Sequence, residues 1–195
     1  MELLIFLIVV FVLLASYKMH YDKKNTEVDI VTSKQDQHDY LVRNLPDKEH
    51  AADLLAEIRT RLTKLVTYLK SNYQTDDRIV RLTEKFNPDH ISEGSDDSTY
   101  TSYSVNKGEK LVFCLRQRDQ TDDLLDINTM MFVAIHELAH IMTKSVGHAP
   151  EFWSNMRFLL DAAMSNHLQV YSYQPYHRQP QPYCGITISD TPLKL

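Results

Sequence analysis

The chain opens on an unbroken apolar run and then changes to mixed patterning. Residues Leu3 to Ala15 are all apolar, and Ser16 and Tyr17 extend the run to Lys18. The run has no polar face, so it reads as a short transmembrane anchor over residues 1–17 rather than an amphipathic core helix. A cleaved secretory signal is the competing reading, but that would call for a basic leader, and the early charge here is Glu2. Lys18, Lys23, Lys24 and Lys34 all follow the run. Positive charge stays on the cytosolic side, which predicts a single-pass membrane protein with its C-terminal domain in the cytosol. Residues 18–37 are polar and mixed in charge, and read as a tether.

From about His38 onward the pattern is that of one folded domain, 38–195. Ala51, Leu55, Ile58, Leu62, Leu65 and Leu69 recur at alternating spacings of four and three, which predicts an amphipathic helix over 48–71. Residues 72–97 are acidic and turn-rich. Strands follow at Thr99–Val105 and Lys110–Arg116, joined by Asn106-Lys107-Gly108-Glu109 with the chemistry of a hairpin turn. Helical patterning resumes over 122–144 and again over 150–167. From Tyr171 the chain is rich in Tyr, Pro and Gln and reads as an extended tail.

Composition narrows the function classes. The 195 residues carry a net charge of −5, and no basic stripe stands out, so nucleic acid is not indicated as a partner. The two cysteines, Cys114 and Cys184, are far apart and form no CxxC pair, which indicates neither a disulfide framework nor a cysteine metal site. Cys114 reads as a small core residue. Cys184 is weighed as a fourth, inhibitory metal ligand. Three of the nine histidines fall between positions 136 and 148.

Those three lie in and just after His136-Glu137-Leu138-Ala139-His140, an HExxH pentapeptide. Successive helical residues turn by about 100°, which puts His136 and His140 one turn apart on the same face, able to chelate one Zn2+. Glu137 is then placed to act as general base on a water that zinc brings to a pKa of about 7. The flanking residues, from Met130 to Met142, are apolar on nearly every side. Such a helix is buried, and burying these polar groups costs several kcal/mol, roughly, unless they are paired or metal-bound. His148 is the third-ligand candidate, on a connection where Gly147 turns the chain and Pro150 opens the next helix. The other reading of His148 is a surface turn residue. Glu151 is the rival ligand, although a first-turn acid also suits the helix dipole. Phe152, Met156, Leu159 and Ala163 mark the buried face of that helix.

The run His136–Trp153, HELAHIMTKSVGHAPEFW, resembles the active-site segment of the WLM and SprT-like zinc metallopeptidases. His148, Glu151, Phe152 and Trp153 match the second part of that pattern, and Lys110–Arg116 looks like the strand before the zinc helix. The resemblance covers about residues 98–165. It implies a compact zincin-like α+β domain of the minigluzincin type with a small antiparallel sheet, which here would follow the N-terminal transmembrane helix read from the apolar run. It further implies an edge strand that binds a protein or peptide substrate in extended form. Tyr171, Tyr173, Tyr176, His177 and Tyr183 are candidates to stabilise the developing oxyanion.

Three functions compete on these grounds. The first is a membrane-anchored zinc peptidase, contacting membrane through its N-terminal helix. The second is a non-catalytic, zinc-stabilised interaction module. The third is a helical scaffold whose pentapeptide is accidental. Oligomeric state leaves no mark on the sequence.

Overall fold

The computed structural model describes residues 2–24, 27–95, 100–119 and 121–193. Helix α1 spans Glu2–Lys24, and β1 (Val28–Thr32) and β2 (Asp39–Arg43) form an antiparallel hairpin. Next come α2 (Lys48–Asn72), α3 (Asp77–Lys85) and β3 (Ile91–Glu93). The hairpin β4 (Ser102–Val105) and β5 (Lys110–Phe113) leads to α4 (Ile127–Met142) and α5 (Pro150–Ala163). A last hairpin, β6 (Gln181–Tyr183) and β7 (Ile186–Ile188), stands near the C-terminus. The result is a compact α+β domain with small sheets.

The stripe of α2 forms as its spacing requires: Ala51, Leu55, Ile58, Leu62, Leu65 and Leu69 are fully buried. They face the same core as α4, which packs on α2, α3 and α5. The three-stranded sheet has the order β3-β5-β4, which leaves β4 at an edge. The expected hairpin is present, with Ser102 opposite Phe113 and Val105 opposite Lys110. In its turn Asn106, Lys107 and Gly108 all have positive φ, and a Cβ at Gly108 would stand 2.6 Å from the Lys85 carbonyl oxygen. Glycine is required there on both counts.

Several expectations are corrected. The sheet is mixed rather than antiparallel, because β3 enters parallel to β5 on the side away from β4. Both α3 and β3 lie in the stretch 72–97 that reads as turns. Helix α3 buries only Ile79 and Leu82, and β3 is the polar triplet Ile91-Ser92-Glu93, so neither carries a strong local signal. The chain over 28–37, expected as part of a polar tether, is folded: Ser33 and the Lys34 amide both bond the Asp53 carboxylate on α2. Thr99, the expected start of a strand, lies outside the described residues.

The membrane assignment is overturned. Among the described residues no helix is long and apolar enough to cross a membrane. Helix α1 reaches Lys24, but its apolar stretch ends at Tyr17. A rise of ~1.5 Å per residue gives that stretch roughly 22 Å, against a hydrocarbon core of ~30 Å. The single-pass placement and the cytosolic orientation drawn from it are withdrawn together.

The cysteines are also corrected. Cys114, just past β5, forms a disulfide with Cys184 in the turn of the last hairpin, across a sequence separation of 70. Cys184 is therefore not a metal ligand. Closing a loop of that size removes unfolded-state entropy worth about 4 kcal/mol.

Polar β3 is held in the core by charge. Arg116 and Glu93 are both almost fully buried, and the Arg116 Nε donates to Glu93 at 2.9 Å. Arg116 also reaches Asp47 at 2.8 Å, and the Arg43 amide donates to Glu93 at 2.7 Å. Glu93→Ala leaves a buried guanidinium short of its partner. The expected cost is about 3–5 kcal/mol, read from urea unfolding of the oxidised protein.

Candidate metal centre

Helix α4 begins at Asp126, whose carboxylate accepts from the amides of Asn128 and Thr129. Such an N-cap satisfies donors that have no partner within the helix. The far end is held by cations: Arg81 donates to the Met142 carbonyl at 2.5 Å, and Lys107 donates to the carbonyls of Thr143 and Lys144 at 2.9 and 2.7 Å. Positive charge suits a helix C-terminus. Asn155 of α5 donates to Thr143 Oγ1 at 2.9 Å in the interior, tying the two helices together. The helix that carries the pentapeptide is thus fixed at both ends.

The connection to α5 is built to return the chain. Glu151 accepts from the Lys144 and Ser145 amides and from the Ser145 hydroxyl, which draws its carboxyl below the usual range. It shapes the loop and is not part of the histidine group. Gly147 has φ +80, and Pro150 occupies the first turn of α5. Between them His148 turns back over α4.

Three imidazoles meet there. His136 Nε2 stands 3.2 Å from His140 Nε2 and 3.1 Å from His148 Nε2. A ring nitrogen carries at most one proton, so His136 Nε2 cannot serve both neighbours by donating. A shared cation could be held by all three. Nitrogens on a tetrahedral zinc at ~2.05 Å stand about 3.3 Å apart, and the observed spacings fit that. Among the described residues these three histidines form the group able to hold a metal ion. Beneath them lies Phe152, fully buried, with its ring 4.8, 4.4 and 4.7 Å from those of His136, His140 and His148. Sequence reading treats Phe152 as core; it is core, and also the floor that sets the three ring planes.

The electrostatics follow from burial. His136 is pushed down to about 3, first by desolvation and then by its two histidine neighbours. His140 is pushed down to about 4, first by desolvation and then by the charges of His148 and Lys107. His136 and His140 are therefore neutral at pH 7, the state in which an imidazole can bind a cation. Burial alone pushes Glu137 up to about 7.

Glu137 and the three histidines line a cavity of about 700 Å³. One wall is the edge strand with the residues before it, Tyr100 to Ser104. The C-terminal segment adds Tyr183, Ile188 and Asp190 to the lining, with Tyr183 set against the edge strand. Of the tail residues singled out in the sequence, Tyr183 lines this cavity. Tyr171 and Tyr176 instead pack on Phe132, with ring centroids 6.1 and 4.6 Å away, and His177 and Tyr173 are not in the lining. Lys107 and Ser102 have roles that the sequence pattern does not reveal.

A profile of the WLM domain matches residues 33–179. An uncharacterized protein of Acanthamoeba polyphaga mimivirus is 34% identical over 183 residues, covering 88% of this chain and 88% of the relative. One from Invertebrate iridescent virus 3 is 32% identical over 85 residues, 44% of this chain and 50% of that relative. Among solved structures, Wss1 from Saccharomyces cerevisiae aligns with a TM-score of 0.45 and 24% identity, over 60% of this chain and 78% of the other. The profile spans well over half of the sequence, and the chain belongs to the WLM domain family, a family of zinc metallopeptidases.

Proposed function

We propose that this protein is a zinc-dependent endopeptidase of zincin-like architecture, with His136, His140 and His148 as the zinc ligands and Glu137 as the general base. The observation that carries this reading is the convergence of three Nε2 atoms, 3.1 and 3.2 Å from one another at His136, beside a buried carboxyl in the same cavity. Zinc, when bound, would supply a Lewis acid that polarises the scissile carbonyl and acidifies the attacking water. Glu137 takes the proton of that water and passes it to the departing nitrogen. Glu137 is buried, so the carboxylate acts in a medium where its charge is poorly solvated and its basicity is high.

The substrate in this reading is an extended polypeptide. Strand β4 is an edge, so its outer backbone groups are available to pair with one more strand. Residues Tyr100 to Ser104 run along the cavity beside Glu137. A peptide added there lies with its backbone across the three imidazoles.

Two variants of the full chain test the reading. Glu137→Gln should keep one zinc per chain by metal analysis and lose casein cleavage by a factor of about 10²–10⁴. Cleavage equal to the parent rejects the assigned base. A parent that binds zinc but cleaves nothing favours a zinc-stabilised interaction module instead. His148→Ala should weaken zinc binding by more than about 100-fold, because loss of even an outer partner of a ligand costs 10–100-fold. Competition with a chromogenic chelator measures it, and unchanged affinity removes His148 from the ligand set.

A further inference from the structure

We propose that Tyr183 donates the hydrogen bond that stabilises the oxyanion on the scissile carbonyl, with Ser102 as the positioning residue that orients its phenol. This rests on the peptidase reading above and assigns a group that the reading leaves open. Five observations support it. Tyr183 is 2% exposed yet lines the cavity shared by Glu137 and the histidines. Burial holds its phenol above the ordinary tyrosine range, and the Ser102 hydrogen bond partly offsets that. The other phenols of the lining, Tyr100 and Tyr103, sit on the rim and pack against each other at 5.9 Å, with Tyr100 68% exposed. An oxyanion donor acts best when it is fixed in place and shielded from water, which selects Tyr183.

The remaining two observations concern how it is held and which proton it has to give. The Tyr183 and Ser102 hydroxyls are 2.5 Å apart, and Ser102 Oγ accepts from the Cys114 amide at 3.2 Å. Cys114 is bonded through its sulfur to Cys184, the residue after Tyr183. Hydrogen bonds and covalent bonds thus close a ring through Ser102, Tyr183, Cys184 and Cys114, and the phenol is locked against the edge strand. Two hydroxyls bring two protons, and the bond between them uses one. With Ser102 donating to the phenol oxygen, the Tyr183 proton is left to point into the cavity. It meets the carbonyl oxygen as charge builds on it, and no proton is transferred.

The test compares the full-length parent with Tyr183→Phe and Ser102→Ala, each oxidised and loaded with one zinc. For Tyr183→Phe, casein cleavage should fall about 100-fold in kcat, with KM within a factor of about three. Calorimetry with N-phosphoryl-Leu-Phe, whose tetrahedral phosphoryl group carries the oxyanion's charge and shape, should show affinity falling about 100-fold in parallel. Ser102→Ala should show the same pattern about tenfold weaker. An active parent matched in kcat and probe affinity by Tyr183→Phe overturns this inference and leaves the peptidase reading intact. A parent that holds zinc but is inactive overturns both. If Tyr183→Phe fails to fold, Ser102→Ala decides, and a change in its KM alone also rejects the role.

Discussion

Placing two imidazoles and a carboxyl on an otherwise apolar helix costs free energy that the helix itself cannot recover. Helix α4 buries residues from Met130 to Met142 on almost all sides, so the polar groups have one direction left, toward a single cavity. The rest of the domain follows from that constraint. His148 arrives from the next connection, and Phe152 fixes the floor under all three rings. Asp126, Arg81 and Lys107 satisfy the helix ends that would otherwise face the core unpaired. A rigid helix with fixed ends holds its two imidazoles at a set spacing, one that a metal ion could bridge together with His148.

The cavity is shaped by parts of the chain distant in sequence. The edge strand lines one part of it and the C-terminal segment another, and the Cys114–Cys184 bond ties that segment to the end of β5. That bond ties the tail to the domain where local contacts are few, since β6 and β7 pair over only three residues. The Arg116–Glu93 pair works similarly on the other side of the sheet, keeping a polar strand in the interior by charge rather than by apolar contact. Both devices hold the sheet that borders the site.

Local periodicity made much of the fold legible. The stripe on α2 repeats over six positions, and all six are buried. The β4–β5 turn carried its own chemistry in Asn106-Lys107-Gly108. By contrast α3 buries only two apolar residues and β3 only one, and their stability comes from partners elsewhere in the chain. The apolar run at the N-terminus taught the opposite lesson: composition predicts an anchor, but the apolar stretch of the helix is too short to be one.

By itself the sequence determined the spacing of His136, Glu137 and His140 on one helix, and the turn residues that let His148 come back. It did so because those relations span one or two helical turns and one connection, where backbone geometry leaves little choice. Which tail tyrosine faces the cavity, which cysteine meets which, and that Phe152 lies under three rings were decided only by the tertiary structure. These relations join residues far apart along the chain, such as Ser102 with Tyr183 and Cys114 with Cys184. No local pattern encodes such distances; they exist only once the helices and strands have packed.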